Sequence, residues 1–182
     1  RASQAQSLGG GGLIAFRLTA ALPIFEPFGQ PAGSSLNGLS TPSGQIWGRI
    51  GTGAATQGTV AAGNLTSTGW PTSTGGLVQL SPGAAGGGSR LPFGTTVSNG
   101  VVFYSFLLKV SNSAPVVAPV PIAAFDPLTS GIPAGTDLFG RLLIRSNAGG
   151  FNLGMGRNTS ANGQASWVGT TFTTNDTVLV VA

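Results

Sequence analysis

Short apolar runs bounded by Gly and Asn turns recur along this chain, and helical periodicity is absent. The clearest run is Val101–Val110, where β-branched and aromatic residues occupy both alternating sets of positions. Such a run predicts a strand that is buried mostly on both faces. Asn99-Gly100 before it and Asn162-Gly163 further on are turn signals. The pattern therefore predicts an all-β chain built from short strands.

Other segments follow the same pattern. Residues 138–145 and 151–156 alternate around a Gly-containing turn at 146–150, and the second is expected to be half-buried. Residues 116–125 are apolar but contain Pro119 and Pro121, which predicts an edge strand or an extended segment. Further strands are predicted at 13–18, 58–62, 77–80, 164–168 and 177–182. The expected fold is an antiparallel two-sheet β-sandwich of the jelly-roll class.

The length of 182 residues fits one domain. Residues 1–12 are polar and end in four glycines, which predicts a flexible N-terminal lead-in. Residues 13–182 are expected to form a single β-sandwich domain.

Reactive side chains are scarce in this sequence. Charged residues make up 7%, against about a quarter in ordinary soluble domains. With no His and no Cys, the chain has neither a conventional serine triad nor the usual zinc ligands. The closest acidic pair, Asp126 and Asp137, is separated by a Pro- and Gly-containing loop, unlike the paired carboxylates of a glycosidase. These features predict a protein without catalytic activity.

The net charge of +4 results from a shortage of acids, because the eight Arg and Lys residues are spread along the chain. Only Arg141, Arg145 and Arg157 could converge, so no nucleic-acid partner is expected. No apolar run reaches the roughly 18 residues of a membrane span. The surface must be covered by uncharged polar residues, a composition common outside cells. An extracellular or cell-surface location is predicted.

Binding could involve a few residues. Trp70 lies in a predicted loop and, with the amide of Asn64, is the best candidate for stacking against a sugar. Trp47 and Trp167 alternate with small residues in predicted strands and are expected to pack in the core. No cofactor is predicted, although calcium remains open through Asp126 and Asp137. The alternative for both acids is a turn position with bonds to nearby backbone N–H groups.

The C-terminal strand is the predicted assembly segment. It follows Asp176 without any charge or proline, so it must be buried in its own sheet or by a strand from a neighbouring copy. A homo-oligomer or polymer is therefore expected. Its residues are Thr177, Val178, Leu179, Val180, Val181 and Ala182.

Seven stretches follow one another along the chain in an order typical of a known family of domains. They are 25–28, 31–36, 62–66, 90–94, 102–110, 140–145 and 151–155. Together they resemble the concanavalin-like or laminin G-like jelly-roll domains of surface and secreted proteins in planctomycetes and verrucomicrobia. The resemblance implies a jelly roll in an extracellular setting and no catalytic residues. Domains of that family continue further, so truncation of the sandwich at Ala182 is expected.

The predicted function is that of a structural or adhesive protein that assembles into a surface layer or filament through strand edges and apolar faces. A lectin-like carbohydrate-binding module is the alternative. A viral capsid jelly roll is a third reading, because capsid proteins share this strand pattern.

Overall fold

The computed structural model describes residues 24–50, 58–72, 74–80, 88–94, 97–113, 116, 118–127, 138–157 and 165–182. Within them every regular element is a β-strand and every strand pair is antiparallel. The all-β prediction is confirmed. The described strands are β1 Gly48–Ile50, β2 Thr59–Ala61, β3 Leu77–Gln79, β4 Gly88–Arg90, β5 Ser105–Lys109, β6 Val120–Phe125, β7 Phe139–Asn147, β8 Gly150–Gly156, β9 Ala165–Trp167 and β10 Thr177–Val181.

The largest sheet has the order β6-β7-β8-β9. Its centre is the β7–β8 hairpin, where Ala148 and Gly149 have φ angles of 42° and 86°. Positive φ at both central residues is typical of the type I′ turn, whose twist suits a two-residue hairpin. The turn predicted at 146–150 is thus confirmed. Among the described strands β6 is an edge strand, as Pro119 and Pro121 indicated.

The second sheet of the core consists of β5 and β10. Its inner face packs against one face of the four-stranded sheet, as in a β-sandwich. The jelly-roll connectivity stays a prediction. The buried residues of this core are Leu142, Ile144, Phe151, Leu153 and Val180. The partly buried residues packed on them are Tyr104, Phe106, Leu108, Val110, Val116, Ile122, Ala123, Phe172, Val178 and Ala182.

The prediction that Val101–Val110 is buried on both faces is wrong. Regular strand structure covers only Ser105–Lys109, and exposure alternates along the run. Val101 is 76% exposed and Phe103 is 68% exposed, whereas the alternate positions face the core. Apolar residues at both sets of positions do not reveal whether a second layer covers the strand.

The opposite correction applies to β8, which the alternation predicted to be half-buried. It is buried on both faces except at Met155. Phe151 and Leu153 face the core, and on the opposite face a side chain from the neighbouring strand covers β8. The ring of Trp167 on β9 lies against Gly154, where a Cβ would come within 2.6 Å of the ring.

Two short ribbons complete the described structure, β1 with β4 and β2 with β3. Strands β2 and β3 were predicted, but β1 and β4 were not. Arg90 on β4 pairs with Asp126, just after β6, with 2.8 Å between Arg90 Nε and Asp126 Oδ2. This ion pair ties the β1–β4 ribbon to the edge of the four-stranded sheet.

The predicted lead-in at 1–12 and the strand at 13–18 lie outside the described residues. Among the described residues, no helix has the length and apolar composition required to cross a membrane.

Candidate functional site

The outer face of the β5–β10 sheet carries several apolar side chains that point away from the core. Pairing of Leu179 with Leu107 and of Val181 with Ser105 places these positions on the face opposite the core. Val181 is 63% exposed, and Leu107 and Leu179 are half-buried. We call this surface the apolar outer face and define it by Val101, Phe103, Leu107, Leu179 and Val181. A charged residue, Lys109, lies at its border on the same side of β5, opposite Thr177.

The predicted assembly segment supplies half of this surface. Residues Thr177–Val181 form β10, and Ala182 extends the pairing through two backbone hydrogen bonds with Tyr104. Val178, Val180 and Ala182 point inward to the core. In the described part of the chain β10 pairs with β5 alone. The segment is therefore buried partly in its own sheet, which was one of the two predicted outcomes.

Trp70 and Asn64 lie on the loop that joins β2 to β3. Trp70 is 56% exposed, and its backbone N–H donates to Ser67 O at 3.2 Å in a turn. Asn64 is also exposed. An exposed indole beside amides can stack on a sugar, so the lectin prediction keeps a physical basis at this loop.

The other two tryptophans are half-buried, and neither belongs to the main core cluster. Trp47 donates its indole N–H to Glu26 at 3.0 Å, and its ring centroid lies 6.2 Å from that of Phe28. Trp167 lies on the outer face of the four-stranded sheet, with the guanidinium carbon of Arg145 4.0 Å from its ring centroid. The predicted packing of Trp167 in the core did not anticipate its contact with Arg145.

Three of the four carboxylates occupy structural positions. Glu26 accepts hydrogen bonds from Phe28 N and Trp47 Nε1, which holds Phe28 at a φ of 52°. Asp126 forms an ion pair with Arg90, and Asp176 accepts a hydrogen bond from Thr173 N at 2.6 Å within a turn.

Asp137 lies outside the described residues, so the calcium hypothesis for Asp126 and Asp137 is untested. Within the described residues no three acidic side chains cluster as they would around a metal.

An open groove of about 380 Å³ lies where residues 28–32 pass the ends of β2 and β3. Gln30 donates its side-chain amide to Ser40 O at 3.1 Å, and its Oε1 is buried without a hydrogen-bond partner. The groove carries no charged group. Its lining residues are Phe28, Gly29, Gln30, Ala32, Ala61, Ala62, Gly63, Gly75 and Gly76.

The one described group with a clearly shifted pKa belongs to the core. Burial raises the pKa of the Tyr104 phenol above 10.0, and a backbone hydrogen bond at Leu142 partly offsets the rise. Tyr104 donates to Gly140 O at 2.8 Å. This hydrogen bond connects the residue just before β5 to β7.

No protein-family model, curated protein or solved structure matches this chain. The laminin G-like resemblance stays a prediction, and function must be argued from the surfaces described above.

Proposed function

We propose that this chain is a non-catalytic structural or adhesive protein of the cell surface or extracellular space, whose copies associate through the apolar outer face. The observation that supports this most strongly is the exposure of Val181 on the outer face of β10, together with that of Val101 and Phe103 on the segment that leads into β5. Monomeric proteins rarely leave large contiguous apolar patches exposed, and such patches mark interaction sites. A second copy is the occupant that fits, because the face is nearly uncharged and is therefore complementary to itself.

The edge of β10 offers a second contact between copies. If two β10 strands pair antiparallel about Leu179, Thr177 lies opposite Val181 of the other copy. Asp176 then lies opposite Ala182, so no side chains of like charge meet across the new ladder. Such a contact is isologous and closes into a dimer. It would join two β5–β10 sheets into one larger sheet.

Edge pairing combined with staggered face stacking would produce an open polymer, because both apolar outer faces of an edge-paired dimer lie on the same side of the joined sheet. Each edge-paired dimer presents two copies of the apolar outer face, and stacking of these faces connects one dimer to the next. Phe103 and Val181 are 68% and 63% exposed, so their burial contributes about 1–2 kcal/mol for each side chain. The low charge of the chain, 7% of residues, reduces repulsion between copies.

Static light scattering over a concentration series, with negative-stain electron microscopy of the same samples, tests this proposal. Wild type should show a mass that rises with concentration and linear or planar particles. Val181→Lys should reduce association because it places a charge on the face and beside the edge. Val168→Lys is the matched control, since Val168 is 49% exposed and outside the face.

A wild type that stays monomeric at high concentration would refute the assembly proposal. Equal loss of association in the Val181→Lys and Val168→Lys variants would reject the apolar outer face as the contact. Closed shells would favour the capsid reading over a filament.

The lectin-like alternative rests on the 56% exposure of Trp70. It predicts that the wild type binds on a neutral glycan array and that Trp70→Ala abolishes this binding without changing the particle mass. Array binding that survives Trp70→Ala would reject Trp70 as the stacking residue.

A further inference from the structure

The far side of the sandwich carries a second surface of different chemistry. Arg141, Leu143 and Arg145 alternate on the outer face of β7, where the exposed fractions of the first two are 1% and 0%. Arg145 is half-buried and Asn147 is exposed, so this face opens to solvent towards the β7–β8 turn. The opening is where Arg145 meets Trp167, 4.0 Å from guanidinium carbon to ring centroid.

The sheet itself holds this pair in place. Gly154 lies opposite Trp167 in the β8–β9 ladder, and its missing side chain leaves room for the indole. Arg145 lies opposite Asn152 in the β7–β8 ladder. Three neighbouring strands therefore fix the ring and the guanidinium in one arrangement. A guanidinium stacked on an aromatic ring has lost part of its side-chain freedom before any ligand binds.

The polar neighbours of Arg145 are amides and a hydroxyl. Asn152 donates its side-chain amide to Thr170 O at 2.7 Å and to Thr171 Oγ1 at 3.3 Å. Asn147 donates to the same Thr171 oxygen at 2.9 Å. Asn152 is only 3% exposed, so it supports this surface from below. We call the surface formed by Arg145, Trp167, Asn147 and Thr171 the cationic platform.

The guanidinium of Arg145 has no acceptor among the described residues, where its contact is the Trp167 ring. The described carboxylates Glu26, Asp126 and Asp176 are engaged elsewhere in the fold. Stacking uses the flat face of a guanidinium and leaves its N–H donors at the rim. These donors match the two oxygens of a carboxylate.

We propose that the cationic platform binds a carboxylate-bearing sugar, such as a uronic acid unit of an acidic polysaccharide. The carboxylate would accept two N–H bonds from Arg145, and the sugar ring would lie beside the indole and the exposed amide of Asn147. The inference is independent of self-association, because the platform lies on the opposite side of the sandwich from the apolar outer face. A nucleic acid fits less well, because phosphate tracking needs a row of cations and the platform supplies one.

Isothermal titration calorimetry with a galacturonic acid trisaccharide tests this site, with the neutral galactose trisaccharide as the comparison ligand. Arg145→Gln should weaken binding about ten- to hundredfold, the usual value of a charged, two-pronged hydrogen bond. Arg145→Lys keeps the charge but loses the planar fork, and binding should weaken about tenfold. Arg49→Gln removes an equal charge from an exposed residue of β1 and should leave binding unchanged.

Several results would overturn the proposal. These are wild type that does not bind the acidic trisaccharide, equal affinity for the neutral one, or equal weakening by Arg145→Gln and Arg49→Gln. If a single-stranded oligonucleotide binds more tightly than the acidic trisaccharide, the ligand of the cationic platform is a nucleic acid and the sugar proposal is wrong. The Arg145→Lys variant keeps the test valid if Arg145→Gln fails to fold, because it preserves the cation over Trp167. Full affinity in Arg145→Lys would show that the fork is not used and would reject the two-pronged contact.

Discussion

Replacement of Gly154 by Ala tests how tightly β9 is seated on β8. Gly154 is buried, and a Cβ there would lie 2.6 and 2.8 Å from two atoms of the Trp167 ring. It would also lie 3.0 Å from the backbone oxygen of Ser166. Ordinary contacts of a Cβ begin near 3.4 Å. The indole can tilt away, but the Ser166 oxygen belongs to the ladder and can move only if β9 moves.

The size of the effect follows from two opposing contributions. Forcing an extra methyl group into a packed site costs about 1–3 kcal/mol. Replacing Gly by Ala also lowers the conformational entropy of the unfolded chain, which stabilises the folded state by about 0.4–1 kcal/mol. We therefore expect Gly154→Ala to lower the free energy of unfolding by about 1–2 kcal/mol. Gly169, just beyond β9, has nothing within 4 Å of a built Cβ and no positive φ. Gly169→Ala should be neutral or stabilising by about 0.4–1 kcal/mol.

Urea unfolding, monitored by tryptophan fluorescence, gives the free energy of unfolding of both variants under the same conditions. Equal m-values, the dependence of this free energy on urea concentration, would show that the unfolded states are equally compact. The two variants should differ by about 2 kcal/mol. Gly154→Ala should also weaken binding of the acidic trisaccharide, because the indole beneath Arg145 has shifted. Equal stability of the two variants would refute the reasoning, since it would mean that Trp167 does not press on Gly154.

Three other predictions concern the core and the contacts that join its strands, and each is measured by urea unfolding. Tyr104→Phe loses the hydrogen bond to Gly140 O and should cost about 1 kcal/mol at neutral pH. Because burial raises the pKa of Tyr104 in the folded state, the wild type loses stability as the pH rises above 10.0. The difference in the free energy of unfolding between the wild type and Tyr104→Phe should therefore become smaller above pH 10.0. A difference that stays constant as the pH rises would contradict the argument that burial raises this pKa. Asp126→Asn leaves Arg90 without its carboxylate and should cost about 3 kcal/mol, and part should return in the double variant with Arg90→Met. If Asp126→Asn unfolds at the same urea concentration as the wild type, the Arg90–Asp126 ion pair is not buried. Phe151→Ala should cost about 3–5 kcal/mol because Phe151 is 0% exposed, and Phe103→Ala, at 68% exposure, should change stability by less than about 0.5 kcal/mol. Similar losses in both would contradict the assignment of inner and outer faces.

The elements predicted from sequence are those with strong local signals. The alternation of 138–145 and 151–156 around a Gly-containing turn predicted β7 and β8, because strand propensity and turn chemistry agree there. Strands β1 and β4 were missed, since Gly48-Arg49-Ile50 and Gly88-Ser89-Arg90 have no alternation and little apolar content. They form a strand pair through their contact with each other, which no local pattern encodes.

The same division holds for the candidate surfaces. Sequence identified β10 as a segment that needs a partner, because an uncharged apolar strand has few alternatives. It could not identify the apolar outer face, since Phe103 and Phe106 are equally apolar and only the sheet packing decides which is covered. The contact of Arg145 with Trp167 was also out of reach, because the two residues lie on strands separated by β8.

The placement of the two surfaces on opposite sides of one sandwich connects the two proposals. If copies stack through the apolar outer face, that side becomes buried in the polymer, and the cationic platform of every copy remains on the outside. A polymer would then display many identical Arg145 sites along its length. Weak individual contacts with an acidic polysaccharide would be multiplied by the high local concentration of neighbouring sites. Val181→Lys should therefore reduce binding to long acidic polymers while leaving the affinity for the single trisaccharide unchanged. Arg145→Gln should reduce both without changing the particle mass, so the two substitutions separate assembly from recognition.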